Sequence, residues 1–297
     1  MTLDARYATH QLHGQLSITE GRGGLPMIEV RNALATASIS LHGGQVLSFC
    51  PQGGADLLFV SELAHSRSGT AIHGGVPVCW PWFGPDPQGQ GRPTHGTAQY
   101  RLWDLRRTEA LPGGETLVEL GLCDNADSRA VWPHGFDLSL TVVVGRSLSL
   151  SLTTRNTGDS TFELTQALHS YFAVTDIAQV RVTGLDGCAY RDKVDGTHKQ
   201  QHGDVVVNAE VDRVFANVPE VLGIVDGAGS RRLRLATRGS RTAVVWNPWA
   251  GLAARMDDLG DDEYHRFICV ETANADLEVR TLSPGERCTI AVDIALA

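Results

Sequence analysis

Two stretches of this chain, TQALHSYF at 165–172 and DDEYHRFICVETAN at 261–274, each set one proton-transferring side chain in an apolar run. They are His169 and Glu271. A titratable group among apolar neighbours is costly unless it is paired or in use. A histidine alone in a strand is more often a satisfied structural residue than a catalyst. Glu271 in a Cys-Val-Glu-Thr run is odder, because Glu is seldom buried without a partner. An imidazole and a carboxylate, far apart in sequence, point to a site that folding closes and that transfers protons. Cys269, two residues before Glu271, has Ile268 and Val270 beside it and no low-pKa setting, so packing is its expected role.

The elements that must position this pair read as strands. Alternation through FELTQALHSYF puts His169 on one face with Thr165 and Tyr171, opposite Leu164 and Leu168. The clearest hairpin is DLSLTVVVGRSLSLSLTTRNTG: Leu138, Leu140, Val142 and Val144 alternate on one arm, Leu148, Leu150 and Leu152 on the other, with Gly145 at the turn. Similar runs recur at MIEVRNALATASISL, GETLVELGLC, RRLRLATR and TAVVW, and no long amphipathic helical stripe is seen. The 32 glycines and 12 prolines mostly punctuate these runs. An all-β fold is expected: one large antiparallel β-sandwich with few short helices, a single domain over residues 1–297.

The segment 73–99, HGGVPVCWPWFGPDPQGQGRPTHGTAQ, breaks the rhythm. Its prolines exclude a helix and a central strand, leaving a rigid loop system. Trp80, Trp82 and Phe83 beside polar groups suit a sugar site, where aromatic faces cover C–H surface and fixed polar groups take hydroxyls. A plug capping the open end of the sandwich fits that composition equally well.

With 34 acidic and 25 basic residues the formal charge is −9, and no basic cluster suggests nucleic acid or a membrane surface. The opening MTLDARYATHQLHGQL shows no secretory leader, and the apolar runs are too short to span a bilayer. Six scattered cysteines without a CxxC pair argue for reduced thiols rather than a zinc site or disulfide framework. The expectation is a soluble, cytoplasmic monomer.

The order HGG-PVCWPWFGP, PxHG-A, TQALHSYF, VTGLDG, EVDRVF, WNPW and DDEY…ICVETAN resembles the D-hexose-6-phosphate mutarotases of the aldose 1-epimerase superfamily, over about Gly43 to Pro284. The resemblance implies a galactose-mutarotase-like supersandwich, no metal, no cofactor, and interconversion of the α and β anomers of a hexose, a sugar or sugar phosphate being the partner. The family's catalytic histidine falls on His169 and its catalytic glutamate on Glu271. The chemistry needs a proton taken from the anomeric hydroxyl and one given to the ring oxygen, and the pair is expected on opposite sides of the sugar, facing each other across a gap one pyranose wide. Glu271 would be the base and His169 the acid, and either an acidic neighbour should raise the titration of the imidazole or the sugar should arrive when it is protonated. His95 is a candidate hydroxyl ligand or a loop anchor, its HG context favouring the site. Asp212, in EVDRVF, is a candidate hydroxyl acceptor or a salt-bridge partner of Arg213.

In the phosphate-using branch an arginine stands where this chain has His73, and another where it has Gln99. Those arginines are the expected clamp for the 6-phosphate. Arg92, Arg101, Lys193 or Arg213 are the candidates to replace them. Hexose 6-phosphate leads as substrate, with an unphosphorylated hexose next. A non-catalytic carbohydrate-binding protein would have lost the acid/base pair. A glycoside hydrolase would need a second carboxyl, for which only Asp212 or Asp192 is available.

Overall fold

The computed structural model describes residues 7–297, and the first part of the opening stretch read for a leader lies outside them. Nearly every element is an antiparallel strand, and the α-helices among the described residues are two short ones, Ala126–Val131 and Trp249–Ala253. A nine-stranded sheet holds the hairpin read from sequence, with Phe136–Val144 paired to Leu148–Asn156, and Arg287–Leu296 on its other side. Its alternation is complete: Leu138, Leu140, Val142, Leu148, Leu150 and Leu152 are fully buried, while the intervening residues are partly exposed.

An eight-stranded sheet carries the site. From one edge it runs His198–Gln200, Ala189–Asp192, Val211–Ala216, Thr242–Asn247, Phe267–Asn274, Gln166–Leu168 and Val78–Cys79; Tyr171–Ala173 also pairs with Phe267–Asn274. All eight residues of Phe267–Asn274 are buried, as a central strand covered on both faces requires. On one face Ile268 and Val270 join the main core shared with the nine-stranded sheet. On the other, Val214, Val244 and Ala273 form a small cluster with Cys79, Ala167 and Phe83.

The two sheets are tied by buried polar contacts as well as apolar ones. The Trp80 indole N–H donates to Thr154 Oγ1 at 2.9 Å, and the Thr154 hydroxyl lies 3.4 Å from Gln166 Oε1, to which it donates. All six cysteines are free, and Cys79, Cys269 and Cys288 are buried. Among the described residues no helix is long and apolar enough to cross a membrane.

Two sequence expectations need correction here. The run 162–172 is three short strands, Phe162–Leu164, Gln166–Leu168 and Tyr171–Ala173, because the backbone of residues 165 and 169 bonds to the 73–99 loop instead. Thr165 N–H donates to Pro81 and His169 N–H to Pro77. Trp80 and Trp82 are core residues: Trp80 packs on Trp132 and Phe136, and Trp82 donates to the Pro93 carbonyl beneath the Arg92 guanidinium.

Candidate active site

Register brings His169 and Glu271 together. Leu168 pairs with Thr272 and Tyr171 with Cys269, so the break between the two short strands lies opposite Glu271. The two side chains are cross-strand neighbours, with His169 Nε2 3.5 Å from Glu271 Oε1. They were expected to face each other across a gap one pyranose wide. They stand side by side on one face of the sheet, so a sugar would meet both from the same side. Both are buried, and His169 Nδ1 and Glu271 Oε2 have no hydrogen-bond partner.

Around the pair is a cavity of about 320 Å³. It brings together every site residue read from sequence: His73, His95, Gln99, His169, Asp212 and Glu271 all line it. Strand alternation decides which neighbours join them. Asp212 pairs with Trp246 and Val214 with Val244, placing all four on the cavity face. Arg213 therefore points the other way, against Gln201 and Tyr190. Asp212 bonds Lys193 at 2.9 Å, not Arg213. Arg92 is paired with Asp86 and Arg101 with Asn125, so neither replaces the expected arginines. Asp192, the other acid weighed for hydrolysis, is paired with Lys199 and lies off the cavity.

The loop 73–99 supplies the opposite wall. Its ends are fixed by glycines that no other residue replaces. At Gly74, with φ 123°, an added Cβ would lie 2.4 Å from the Phe59 carbonyl oxygen; at Gly96, with φ 77°, it would lie 2.0 Å from that of Trp80. His95 itself has φ 65°. Its N–H donates to the Gly84 carbonyl, and Gly84 N–H donates to its Nδ1 at 3.2 Å. Burial and then the Lys193 charge push His95 down to about 4, so the ring is neutral at pH 7 with its proton on Nε2. Gln99 turns its amide N–H to the Thr94 carbonyl at 3.1 Å.

Burial, with the charges of His95 and His73, pushes His169 well below the ordinary imidazole value. Burial, with Asp212, pushes Glu271 well above the ordinary carboxyl value, against Lys193. Glu271 is the acidic neighbour expected, but desolvation first, and the His95 and His73 charges after it, push His169 the other way, leaving the alternative that the sugar arrives when the imidazole is protonated. The 3.5 Å contact itself favours the ionised pair and acts against that desolvation.

Further side chains line the cavity, not all of them read from sequence. Tyr171 stacks on His169 with ring centroids 4.8 Å apart and planes 12° apart, and Trp246 stands edge-on to it at 6.1 Å. Tyr100, Met256 and Asp258 complete the wall. Tyr171 was already on the His169 face by alternation, and Trp246 was findable, since its parity in TAVVW matches Val244; Tyr100, Met256 and Asp258 carry no sequence signal of their own.

Residues 26–295 match the model of the aldose 1-epimerase family. The chain belongs to the aldose 1-epimerase family. Two relatives bear the name "Putative glucose-6-phosphate 1-epimerase". That of Cenchrus ciliaris is 37% identical over 274 residues, 89% of this chain and 82% of the relative. That of Escherichia coli K12 is 37% identical over 253 residues, 84% of each. The crystal structure of YeaD from Salmonella typhimurium superposes with a TM-score of 0.90 at 33% identity, covering 97% of this chain and 95% of that one. The aldose 1-epimerase fold expected from sequence, a mostly antiparallel β-sandwich, is the one observed.

Proposed function

We propose that this cavity interconverts the α and β anomers of a hexose 6-phosphate such as glucose 6-phosphate, with Glu271 and His169 as the proton-transfer pair. The contact between them carries the reading. The anomeric oxygen and the ring oxygen are bonded to one carbon, so a base and an acid that serve both must be neighbours. Glu271 takes the proton of the anomeric hydroxyl while His169 gives one to the ring oxygen, and the C1–O5 bond breaks to an aldehyde. Rotation about C1–C2 and reversal of both transfers closes the ring on the other face. Opening leaves Glu271 protonated and His169 neutral, the arrangement that burial favours. The 3.5 Å contact between the two side chains favours the starting one.

His95, with a neutral Nε2–H, and Asp212 are the proposed hydroxyl ligands, and His73 and Gln99 complete the sugar-facing wall. The name of the relatives supports the 6-phosphate. An unphosphorylated hexose is the second reading, since Lys193 is the one Lys or Arg among the lining residues and is paired with Asp212. Free cysteines support a cytoplasmic setting, and the continuous core supports one domain over the described residues. The test is saturation transfer between anomer resonances for glucose, galactose and their 6-phosphates. Glu271→Gln and His169→Ala should each lower exchange by about 10²–10⁴-fold. Near-wild-type exchange in either variant refutes the pairing.

A further inference from the structure

Tyr171 follows His169 by two residues and lies on the same face of the chain. Between them Ser170 N–H donates back to the Leu168 carbonyl at 3.0 Å, a three-residue turn centred on His169. The phenol ring lies flat on the imidazole, with centroids 4.8 Å and planes 12° apart. Its backbone is fixed on both sides: Tyr171 N–H donates to the Gly75 carbonyl, and the Tyr171 carbonyl accepts from Phe59 N–H. The ring packs on Phe267, Trp246 and His73, at 5.4, 6.0 and 5.2 Å between centroids. Trp246 and His95 stand at 87° and 78° to the imidazole, so of these rings Tyr171 alone is stacked on it.

We infer that Tyr171 is a positioning residue whose ring face orients His169 and stabilises its imidazolium form, the form from which it gives a proton. The inference rests on the reading of His169 as the acid. An aromatic face is electron-rich, and a cation within about 6 Å of the ring centroid is drawn to it, the more so away from water. Neutral imidazole gains no such attraction. Burial keeps Tyr171 a neutral phenol, so its effect on His169 is that of the ring alone. The other groups facing His169 mostly oppose the charge: burial first, then the charges of His95, His73 and Lys193. Glu271, at 3.5 Å, favours it only while ionised, and burial pushes that carboxyl toward its protonated form. The ring's attraction does not depend on which form Glu271 takes.

The test follows the protonated fraction of the His169 ring by its imidazole nitrogen NMR shifts, without sugar, from about pH 4 to 8. Tyr171→Phe keeps the face and should leave the midpoint nearly in place. Tyr171→Leu keeps the site apolar without a face, and should lower the midpoint by about one pH unit, a tenfold loss of imidazolium. Adding fluorines to the ring of the Tyr171→Phe protein drains the face while keeping its shape, and should lower the midpoint step by step. The rate of anomer exchange at pH 7 should fall alongside, by up to about tenfold. A His169 that stays neutral throughout in the wild type, a midpoint that holds or rises in Tyr171→Leu, or equal midpoints for plain and fluorinated rings overturns the inference. If the midpoints move as expected and exchange does not follow, the acid role of His169 fails and the ring contact stands.

Discussion

Burial of Glu271 on a central strand, where its cross-strand partner is Val244, removes water from its carboxyl, and with Asp212 this raises its titration well above the ordinary range. In the unfolded chain a glutamate titrates near 4.3. Above that value the folded protein binds a proton that the unfolded chain has lost, so this residue's contribution to stability is present at low pH and fades as pH rises through the folded value. Glutamine keeps the shape and does not titrate. Glu271→Gln is therefore expected to be more stable than the wild type at pH 8, by roughly 1–2 kcal/mol. Urea unfolding at pH 8 and pH 4.5 reads it: the gap should narrow at the lower pH, and a variant no more stable at pH 8 contradicts the cost assigned to this carboxyl. The same oddity made Glu271 legible in the sequence. Asp258 was not legible, because it sits among Asp257, Asp261, Asp262 and Glu263, and composition cannot say which acid of such a run turns inward.

Strands were readable where one face is buried, and parity then carried side chains to the correct side. Asp212 enters the cavity and Arg213 leaves it because neighbours in a strand face opposite ways. Parity could not show that 162–172 would break at residues 165 and 169, since the cause is a loop distant in sequence. Nor could composition tell that, of Trp80, Trp82 and Phe83, only Phe83 would line the cavity. The loop's shape depends on Gly96, which passes the Trp80 carbonyl closely and directly follows His95. An alanine there must adopt a positive φ and push that carbonyl away. Gly96→Ala should lose about 2 kcal/mol or more. A thermal melt checks this, and a melting temperature equal to the wild type's shows that the backbone can yield there.

At the scale of the molecule, the cavity is built on one sheet while the loop that walls it is anchored through that sheet into the other. Trp80 leaves the loop, fills the core against Trp132 and Phe136, and gives its N–H to Thr154 of the nine-stranded sheet. Thr154 also meets Gln166, whose amide reaches Asn274 on the strand that holds Glu271. These buried polar groups have no water to fall back on, so a missing partner costs more than the bond is worth on balance. Thr154→Val should destabilise the fold by roughly 1–3 kcal/mol, because it orphans the indole N–H. Trp80→Phe removes that donor and opens a cavity of its own. The cycle between them separates the bond from the packing: with Phe at 80, the valine should cost about 1 kcal/mol less, since no indole remains to be left unpaired. Additive losses in urea unfolding would mean that apolar packing alone holds the loop to the far sheet, and that the polar tie contributes nothing.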